Sequence, residues 1–425
     1  MNRNARSIAR TAAALAATVG VITGVTACAE SDSSGSVTIS YGYWDTSMTD
    51  AFAQAAEAFE DDNPGITIEL QQVPFDSYFT KLNTQLQGNS APDVFWLQNI
   101  QFPLYSENDQ LADLTDYVAD DAASFEGIPA STMDTYVYDG KRYAVPWQVI
   151  SFGLYYNKKM FADAGVAAPT NDWTWDDVAA AAAGLTDPAT GTYGIVAPLW
   201  NYGNFYQTMY AFGAKIITDN GTDTDFDSPA AIKGLDFWAD IVRKGYSPTL
   251  AQIADTNQDQ WFQSGQVAME STGSWNAAIF AGSLGEDLGI VEMPAGTVDT
   301  SGAATTANAV AKNSSHVAEA YKWVSYLASP EGQTLLNTAA GASAGAPANA
   351  SANEAWLKSA GTPDARVFLD EIARTTPLPA TRNTAAWENE LTETLAPAWN
   401  GEASTEAVAK AMAEKIREAL RKEQQ

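Results

Sequence analysis

The segment between residues 36 and 98 switches between two hydrophobic periods, and this alternation constrains the fold more than any other feature of the chain. Three short runs rich in β-branched and aromatic residues predict strands: "SVTISYGYWD" (36–45), "ITIELQQV" (66–73) and "DVFWL" (93–97). Apolar residues recur at helical spacing between Phe52 and Phe59, and "DSYFTKLNTQLQGNSAPD" predicts a second helix. A β-α-β-α-β order implies a sheet with helices on its faces, so we expect an α/β protein.

Length and charge narrow the class further. A chain of 425 residues is too long for one core, so two domains are expected. The formal net charge of -29 argues against nucleic acid as a partner and against adsorption to anionic lipid, because both need clustered Lys and Arg. With one cysteine, the chain has no internal disulfide framework and no cysteine-based zinc site, and we expect neither a cofactor nor a metal.

The N-terminus has the pattern of an export signal. Residues 1–10 contain Arg3, Arg6 and Arg10 without an acid, and residues 11–27 carry no charge. We interpret residues 1–27 as a signal peptide. The alternative, a membrane-spanning anchor, is less well supported because the segment is short and rich in Ala, Gly and Thr.

The end of this segment, Val25-Thr26-Ala27-Cys28, resembles the lipobox of bacterial lipoproteins. The resemblance implies that Cys28 is lipidated and becomes the first residue of the mature protein. Residues 28–36 would then combine the lipidated cysteine with a flexible tether rich in Ser and Gly. The alternative is ordinary cleavage that leaves a free thiol, which is a liability in an exported protein. We therefore expect attachment to the membrane through this lipid alone, on its extracellular face.

Five longer stretches resemble one family in the order in which they occur: "NPGITIEL", "KLNTQLQGNSAPDVF", "YAVPWQVISFGLYYNKKMFADAG", "FQSGQVAMESTGSW" and "SPEGQTLLNTAAGASAGAP". They look like the extracellular solute-binding proteins of carbohydrate ABC transporters, which are similar to maltose-binding protein. The resemblance implies a type II periplasmic-binding fold with two α/β lobes, a hinge between them and a sugar bound in the cleft. It also implies delivery of the sugar to the transmembrane subunits of an ABC permease.

The resemblance also implies where the chain crosses between the lobes. The crossings should fall near Val145-Pro146, near Glu292–Pro294 and within 335–350. The first lobe would then comprise residues 37–145 plus 295–335, and the second 147–292 plus 350–425. Only the third crossing has independent support, because 342–352 is a stretch of Ala, Gly and Pro typical of a linker.

A sugar presents apolar C–H faces and a rim of hydroxyl groups, so its site needs flat aromatic rings beside short polar side chains. Such pairs occur at several places where a predicted strand or helix ends: Trp44 and Asp45; Gln98 and Asn99, just after Trp96; Trp147 and Gln148; Trp200, Asn201 and Tyr202; Trp275 and Asn276. The resemblance adds Gly302 in a small-residue loop, and Arg382 and Asn383 in a late ligand-contacting segment.

Each candidate has a structural alternative. A Trp in an α/β protein is often a core residue, and this alternative has most weight for Trp44 and Trp96. Asp45 and Arg382 could equally form a helix cap or a salt bridge.

The sequence favours binding over catalysis. His316 is the single histidine, so no Ser-His-Asp or Cys-His set can be assembled. We therefore expect a monomeric receptor for a di- or oligosaccharide that is not an enzyme. Two alternatives stay open at this point: a glycosidase, which needs only two carboxylates, and a surface adhesin that captures glycan without supplying a permease.

Overall fold

The computed structural model describes residues 36–218, 221–339 and 345–424, so the signal peptide, Cys28 and most of the tether lie outside the described residues. The strands are β1 Val37–Tyr43, β2 Ile66–Gln72, β3 Val94–Gln98, β4 Val137–Tyr138, β5 Lys141–Arg142, β6 Ala144–Ile150, β7 Phe152–Asn157, β8 Met269–Gly273, β9 Leu288–Val291, β10 Ser301–Val310, β11 Ala346–Pro347 and β12 Thr375–Pro377. The helices are α1 Thr49–Asp62, α2 Phe75–Gln87, α3 Phe102–Glu107, α4 Thr115–Asp120, α5 Ala130–Asp134, α6 Lys158–Ala164, α7 Trp175–Leu185, α8 Tyr206–Ala211, α9 Pro229–Arg243, α10 Leu250–Asp255, α11 Gln258–Gln263, α12 Ala277–Leu284, α13 Val317–Ala328, α14 Pro330–Thr338, α15 Asn353–Ser359, α16 Arg366–Glu371, α17 Ala385–Glu388, α18 Leu391–Trp399 and α19 Thr405–Glu423.

The β-α-β-α-β order predicted for the start of the chain is confirmed. β1 pairs in parallel with β2, with Val37 opposite Ile66, and in parallel with β3, with Tyr41 opposite Val94. α1 buries the face that the helical spacing predicted, including Phe52 and Phe59. Parallel neighbours need a crossover connection, and the two helices supply it.

Two main sheets organise the described residues, and β4 and β5 form a separate two-stranded hairpin. The larger has the strand order β11-β6-β10-β3-β1-β2, with β12 added beside β10. The smaller is antiparallel and has the order β8-β7-β9. β6 and β7 are consecutive in the chain but belong to different sheets, so the connection between them joins the two halves of the molecule.

The hydrophobic cores show where the chain changes lobe. Val149 belongs to the core around β1–β3, whereas Ile150 belongs to the core around α7–α9 and α18–α19. Ala304 still belongs to the second core, and Ala307 belongs to the first. The hydrophobic core therefore changes between Val149 and Ile150, at the end of β6, and between Ala304 and Ala307, within β10. The crossings expected at 145–146 and 292–294 stay predictions. The third stays a prediction, because residues 340–344 lie outside the described ranges.

Pro146 lies within β6 and does not end the strand. A proline removes one ladder hydrogen bond, which is unfavourable inside a sheet. β6 nevertheless continues to Ile150, because its register with β10 shifts between Thr306 and Ala307 and leaves Trp147 as the extra residue of a bulge.

The C-terminal helix α19 is amphipathic and packs against α18 and α9. Its buried residues recur at helical spacing and include Val408, Met412, Ile416 and Leu420. Arg421 and Lys422 occupy the last turn, where positive charge suits the helix dipole. None of the helices in the described ranges combines the length and apolarity that a membrane span requires.

Candidate ligand-binding site

A cavity of about 490 Å³ lies where the C-terminal ends of β1 and β3 meet β6, β7 and the turn after β8. In α/β sheets, the carboxyl ends of the strands are the usual place for a ligand. Residues of both lobes line it: Trp44, Asp45, Thr46, Ser47, Phe75, Trp96, Gln98, Gln148, Ile150, Phe152, Trp200, Tyr202, Asp259, Trp275, Asn276, Ile279, Ala304, Gly345 and Leu378.

The first lobe contributes an aromatic group built around Trp44. The Trp44 ring meets Trp96 edge-on, with ring centroids 4.6 Å apart, and meets Phe75 at 5.6 Å. Trp96 is buried, whereas Phe75 is 44% exposed at the rim. The next residue, Asp45, caps the turn that follows β1, because its Oδ1 accepts hydrogen bonds from the Ser47 amide at 2.9 Å and the Ser47 hydroxyl at 2.7 Å. Burial raises the pKa of Asp45, and the hydrogen bonds from Ser47 partly offset this rise.

The second lobe contributes a triad of rings, Phe152, Trp200 and Trp275. Their centroids are 6.0 Å apart for Phe152 and Trp200, 5.9 Å for Phe152 and Trp275, and 6.2 Å for the two tryptophans. All three pairs are steeply inclined, which is a favourable aromatic geometry.

Each of the two tryptophans rests on a glycine close by in the chain. A Cβ added to Gly203 would lie 2.0 Å from the Trp200 ring, and one added to Gly273 would lie 1.8 Å from the Trp275 ring. Only a residue without a side chain lets the rings lie this close to the backbone. The two glycines therefore fix the depth at which the rings stand in the cavity wall.

Amide and carboxylate groups lie between the rings. Gln148 Oε1 accepts a hydrogen bond from the Gly345 amide at 3.0 Å, and Asn276 Nδ2 donates to Thr272 Oγ1 at 3.2 Å. Gln98 Oε1 is buried and has no hydrogen-bond partner among the described residues. An unpaired buried acceptor is unfavourable, so Gln98 is suited to receive a hydrogen bond from a bound molecule.

The charge in the cavity is negative. Asp45 and Asp259 both line it, and none of its described lining residues is Lys, Arg or His. Near Asp259, burial raises the pKa of Glu270 well above its usual range, and the Asp259 carboxylate raises it further. Within the described ranges, no three His, Cys, Asp or Glu side chains lie together in a way that could hold a metal ion.

The structure brings together a majority of the residues predicted from sequence. Those that line the cavity are Trp44, Asp45, Gln98, Gln148, Trp200, Tyr202, Trp275 and Asn276. Their contact with a ligand stays a prediction.

Trp147 and Asn99 lie away from the cavity. Trp147 is 1% exposed and packs in the first core against Trp96, with ring centroids 4.9 Å apart. Its ring also meets Phe52 at 5.9 Å, and these core contacts direct Trp147 away from the cavity that Gln148 lines. Asn99 is buried and ties the end of β3 to β10, since its Oδ1 accepts from the Thr305 amide at 3.0 Å.

The remaining predicted residues are also engaged elsewhere. Gly302 lies within β10, and its amide donates to Gln207 Oε1 at 2.7 Å. Arg382 is exposed and forms an ion pair with Glu107 at 2.5 Å, which is the salt bridge kept open as an alternative. The amide of Asn383 donates to Glu423 Oε1 at 3.0 Å. Asn201 Nδ2 donates to Glu388 Oε1 at 3.0 Å, so its side chain supports the wall from behind.

Sequence reasoning missed Phe75, Phe152, Asp259 and Ile279. Phe152 lies in an apolar strand, where a core position is the usual interpretation. Asp259 stands at the start of α11 and has the pattern of an ordinary first-turn acid. Of these four residues, Phe75 alone could have been noticed in the sequence. It is a large apolar residue directly after Pro74, at the start of a helix.

The fold and the cavity together define a two-lobed α/β binding protein. The family model described as bacterial extracellular solute-binding protein matches residues 45–334, and the chain belongs to this family. The family resemblance and the fold class expected from sequence are thereby confirmed.

Three known proteins illustrate the relationship. An ABC substrate-binding protein of Listeria monocytogenes, solved in complex with cycloalternan, superimposes with a TM-score of 0.84 at 26% identity and covers 90% of this chain and 98% of its own. The GacH receptor of Streptomyces glaucescens has a TM-score of 0.79 at 22% identity, covering 91% of this chain and 99% of its own, and so shows the fold alone. The diacetylchitobiose binding protein DasA of Streptomyces coelicolor is 25% identical over 299 residues, which are 66% of this chain and 68% of that protein.

Proposed function

We propose that the chain is a lipid-anchored extracellular receptor that binds a neutral di- or oligosaccharide between its lobes and delivers it to an ABC permease. The observation that carries the proposal is the composition of the cavity wall. Each lobe contributes tryptophan rings to the same cavity, and amide and carboxylate groups lie between them. Rings can pack on the C–H faces of a sugar, while groups such as Gln98 and Asn276 can satisfy its hydroxyls.

The charge of the cavity supports a neutral ligand. Asp45 and Asp259 are the acidic residues among its described lining residues, which include no Lys, Arg or His. A carboxylate or phosphate on the ligand would meet two negative charges without a cation to compensate them. Sugar hydroxyls can instead donate hydrogen bonds to these carboxylates.

The relatives support the carbohydrate class. DasA is named for diacetylchitobiose, and the Listeria protein was solved with cycloalternan. A relative from Halalkalibacterium halodurans is named for arabinooligosaccharides. These names differ in the sugar, so they favour an oligosaccharide without identifying it.

The anchor and the permease rest on the sequence. The lipobox-like Val25–Cys28 favours lipid attachment, and the family description favours an extracellular location. Replacing the acceptor thiol, Cys28→Ser, should release the protein from the membrane fraction into the medium. An N-terminal peptide of the wild-type protein that begins at Cys28 without an attached lipid would contradict lipid anchoring.

We further propose that the ligand is bound and not converted. The competing interpretation is a glycosidase that uses Asp45 and Asp259 as its pair of carboxylates, since both line the cavity. The two interpretations differ in the fate of the sugar, which is recovered unchanged from a receptor and cleaved by an enzyme.

A thermal-shift screen of the purified protein against maltotriose, diacetylchitobiose and cycloalternan tests the proposal. A ligand of the folded state raises the melting temperature by mass action. Amino acids, short peptides and polyamines serve as controls, and mass spectrometry establishes whether the sugar stays intact. A shift with a sugar of defined length supports the receptor, whereas equal shifts with long polymers would favour an adhesin. A shift with a non-sugar control alone would overturn the ligand class.

A further inference from the structure

Tyr202 lines the cavity and belongs to a segment that is hydrogen-bonded to the carboxylate of Glu388, a residue far away in the sequence. Trp200 is followed by one π-helical turn, Asn201–Phe205, a rare conformation that is frequent at functional sites. Glu388, at the end of α17, accepts three hydrogen bonds from this region: from Asn201 Nδ2 at 3.0 Å, from the Tyr202 hydroxyl at 3.0 Å and from the Tyr206 hydroxyl at 3.1 Å.

All three of these donors are neutral. The cations on neighbouring elements bind other acids, because Lys415 pairs with Glu390 and Arg382 pairs with Glu107. The other titratable groups that face Glu388 are the hydroxyls of Tyr202, Tyr206 and Tyr210, and burial together with the negative charge of Glu388 raises the pKa of each. Burial raises the pKa of Glu388 to about 7, despite the hydrogen bonds from Tyr202, Tyr206 and Asn201, which lower it. The carboxylate therefore changes its charge near neutral pH.

The two oxygens of Glu388 are not equivalent. Oε1 accepts from both Asn201 and Tyr206, whereas Oε2 accepts from Tyr202 alone. A proton added to the carboxylate is therefore best placed on Oε2, where it displaces one hydrogen bond instead of two. The protonated Oε2 becomes a donor to the Tyr202 oxygen.

This exchange reverses what Tyr202 can offer to the cavity. With Glu388 ionised, the Tyr202 hydroxyl donates to Oε2, so any further hydrogen bond at this hydroxyl is one that its oxygen accepts. With Glu388 protonated, the Tyr202 oxygen accepts from Oε2, and its hydrogen is free to turn toward the cavity. A sugar hydroxyl that donates to Tyr202 is bound well by the first arrangement and poorly by the second.

We propose that Glu388 is a positioning residue that makes Tyr202 a hydrogen-bond acceptor in the binding cavity, so that sugar affinity is higher when Glu388 is ionised. This inference rests on the proposed function, because it requires that Tyr202 contact the bound sugar. It names a determinant of specificity that lies outside the cavity wall.

The test measures the dissociation constant between pH 5.5 and 8.0 by calorimetry, using whichever of maltotriose, diacetylchitobiose and cycloalternan binds most tightly at pH 8.0. We expect the affinity of the wild-type protein to fall by about tenfold toward pH 5.5, which corresponds to a pKa of Glu388 about one unit lower in the complex. Glu388→Gln should bind at the weak, low-pH level throughout, because its amide donates to Tyr202 as a protonated carboxyl does. Glu390→Gln, two residues further on and paired with Lys415, is the matched control and should keep the wild-type profile.

The outcomes separate the inference from the proposed function. If the wild-type protein binds sugar with an affinity that does not depend on pH, or if Glu388→Gln shows the same pH dependence as the wild-type protein, the inference is overturned. The proposed receptor function would be unaffected by either result. If no sugar binds, the proposed function fails, and infrared spectroscopy still tests Glu388. Its carboxyl band should arise as pH falls, be absent from Glu388→Gln and shift in Tyr202→Phe. A band that does not respond to Tyr202→Phe would overturn the coupling.

Discussion

The glycine beneath Trp275 offers a way to displace a cavity ring without changing the chemistry of the site. Gly273 has ordinary extended dihedral angles, with φ at -87° and ψ at 171°, so alanine can adopt the same backbone without strain. The added Cβ would lie 1.8 Å from Cζ3 and 2.3 Å from Cε3 of the Trp275 ring. In Gly273→Ala the ring must therefore retreat by about 1.6 Å to reach ordinary contact near 3.4 Å.

The size of the effect follows from where the ring can go. Its open side faces the cavity, so it moves into space that the ligand would occupy. A buried aromatic anchor contributes about 2 kcal/mol to binding, which corresponds to a loss of affinity of about 30-fold. The free energy of unfolding should change by less than about 1 kcal/mol, because the ring moves into a cavity and not into a packed core.

Calorimetric titration of the sugar found by thermal shift measures this loss. Trp275→Ala, which removes the ring, should weaken binding at least as much while leaving the fold intact. Gly282→Ala is the matched control, since Gly282 lies in α12 and a Cβ there meets nothing within 4 Å. If Gly273→Ala binds within threefold of the wild-type protein, Trp275 is not a platform for the ligand and the reasoning fails.

Three further predictions follow from the site and the core. The wild-type protein should bind a neutral disaccharide more tightly than its glucuronic-acid analogue, and Asp259→Asn should lower this ratio of affinities by about fivefold. The reason is that the substitution removes one of the two negative charges that repel the analogue. An unchanged ratio in competition titrations would contradict this. The pKa of Glu388 is about 7 in the folded protein and 4.5 as its ordinary value. Between these two pH values, Glu388 is protonated in the folded state and ionised in the unfolded state. The free energy of unfolding should therefore fall by up to about 3 kcal/mol between about pH 4.5 and pH 7, and denaturant titrations of Glu388→Gln should lack this fall if the reasoning is correct. Trp147→Phe should lower the free energy of unfolding by about 1 to 3 kcal/mol and leave sugar affinity within threefold of the wild-type value. A large loss of affinity with an unchanged free energy of unfolding would show instead that Trp147 contacts the sugar.

Local signals in the sequence were sufficient for the elements that begin the fold. The helical spacing between Phe52 and Phe59 and the strands on either side depend on contacts that recur every two or four residues. The same local logic located Trp44 and Trp275, because Trp44 directly follows β1 and Trp275 lies in the turn after β8. Such positions reach the cavity whichever lobe supplies them.

Local signals failed where two faces or two distant segments compete. Trp147 and Gln148 are adjacent and equally suited to a sugar, but Trp147 packs in the first core whereas Gln148 lines the cavity. Asn201 has the residue type of a ligand contact, yet Glu388 lies 187 residues later and takes its amide. The continuation of β6 past Pro146 likewise depends on β10, because the register between the two strands shifts at Thr306 and Ala307.

By itself, the sequence determined the α/β class, the opening sheet and the kinds of side chain that a sugar site requires. All of these follow from periodicity and residue type, which are properties of short segments. The tertiary structure alone decided which rings line the cavity and which hydroxyls donate to Glu388. These depend on packing between segments far apart in the chain, because a close-packed interior brings distant side chains into contact.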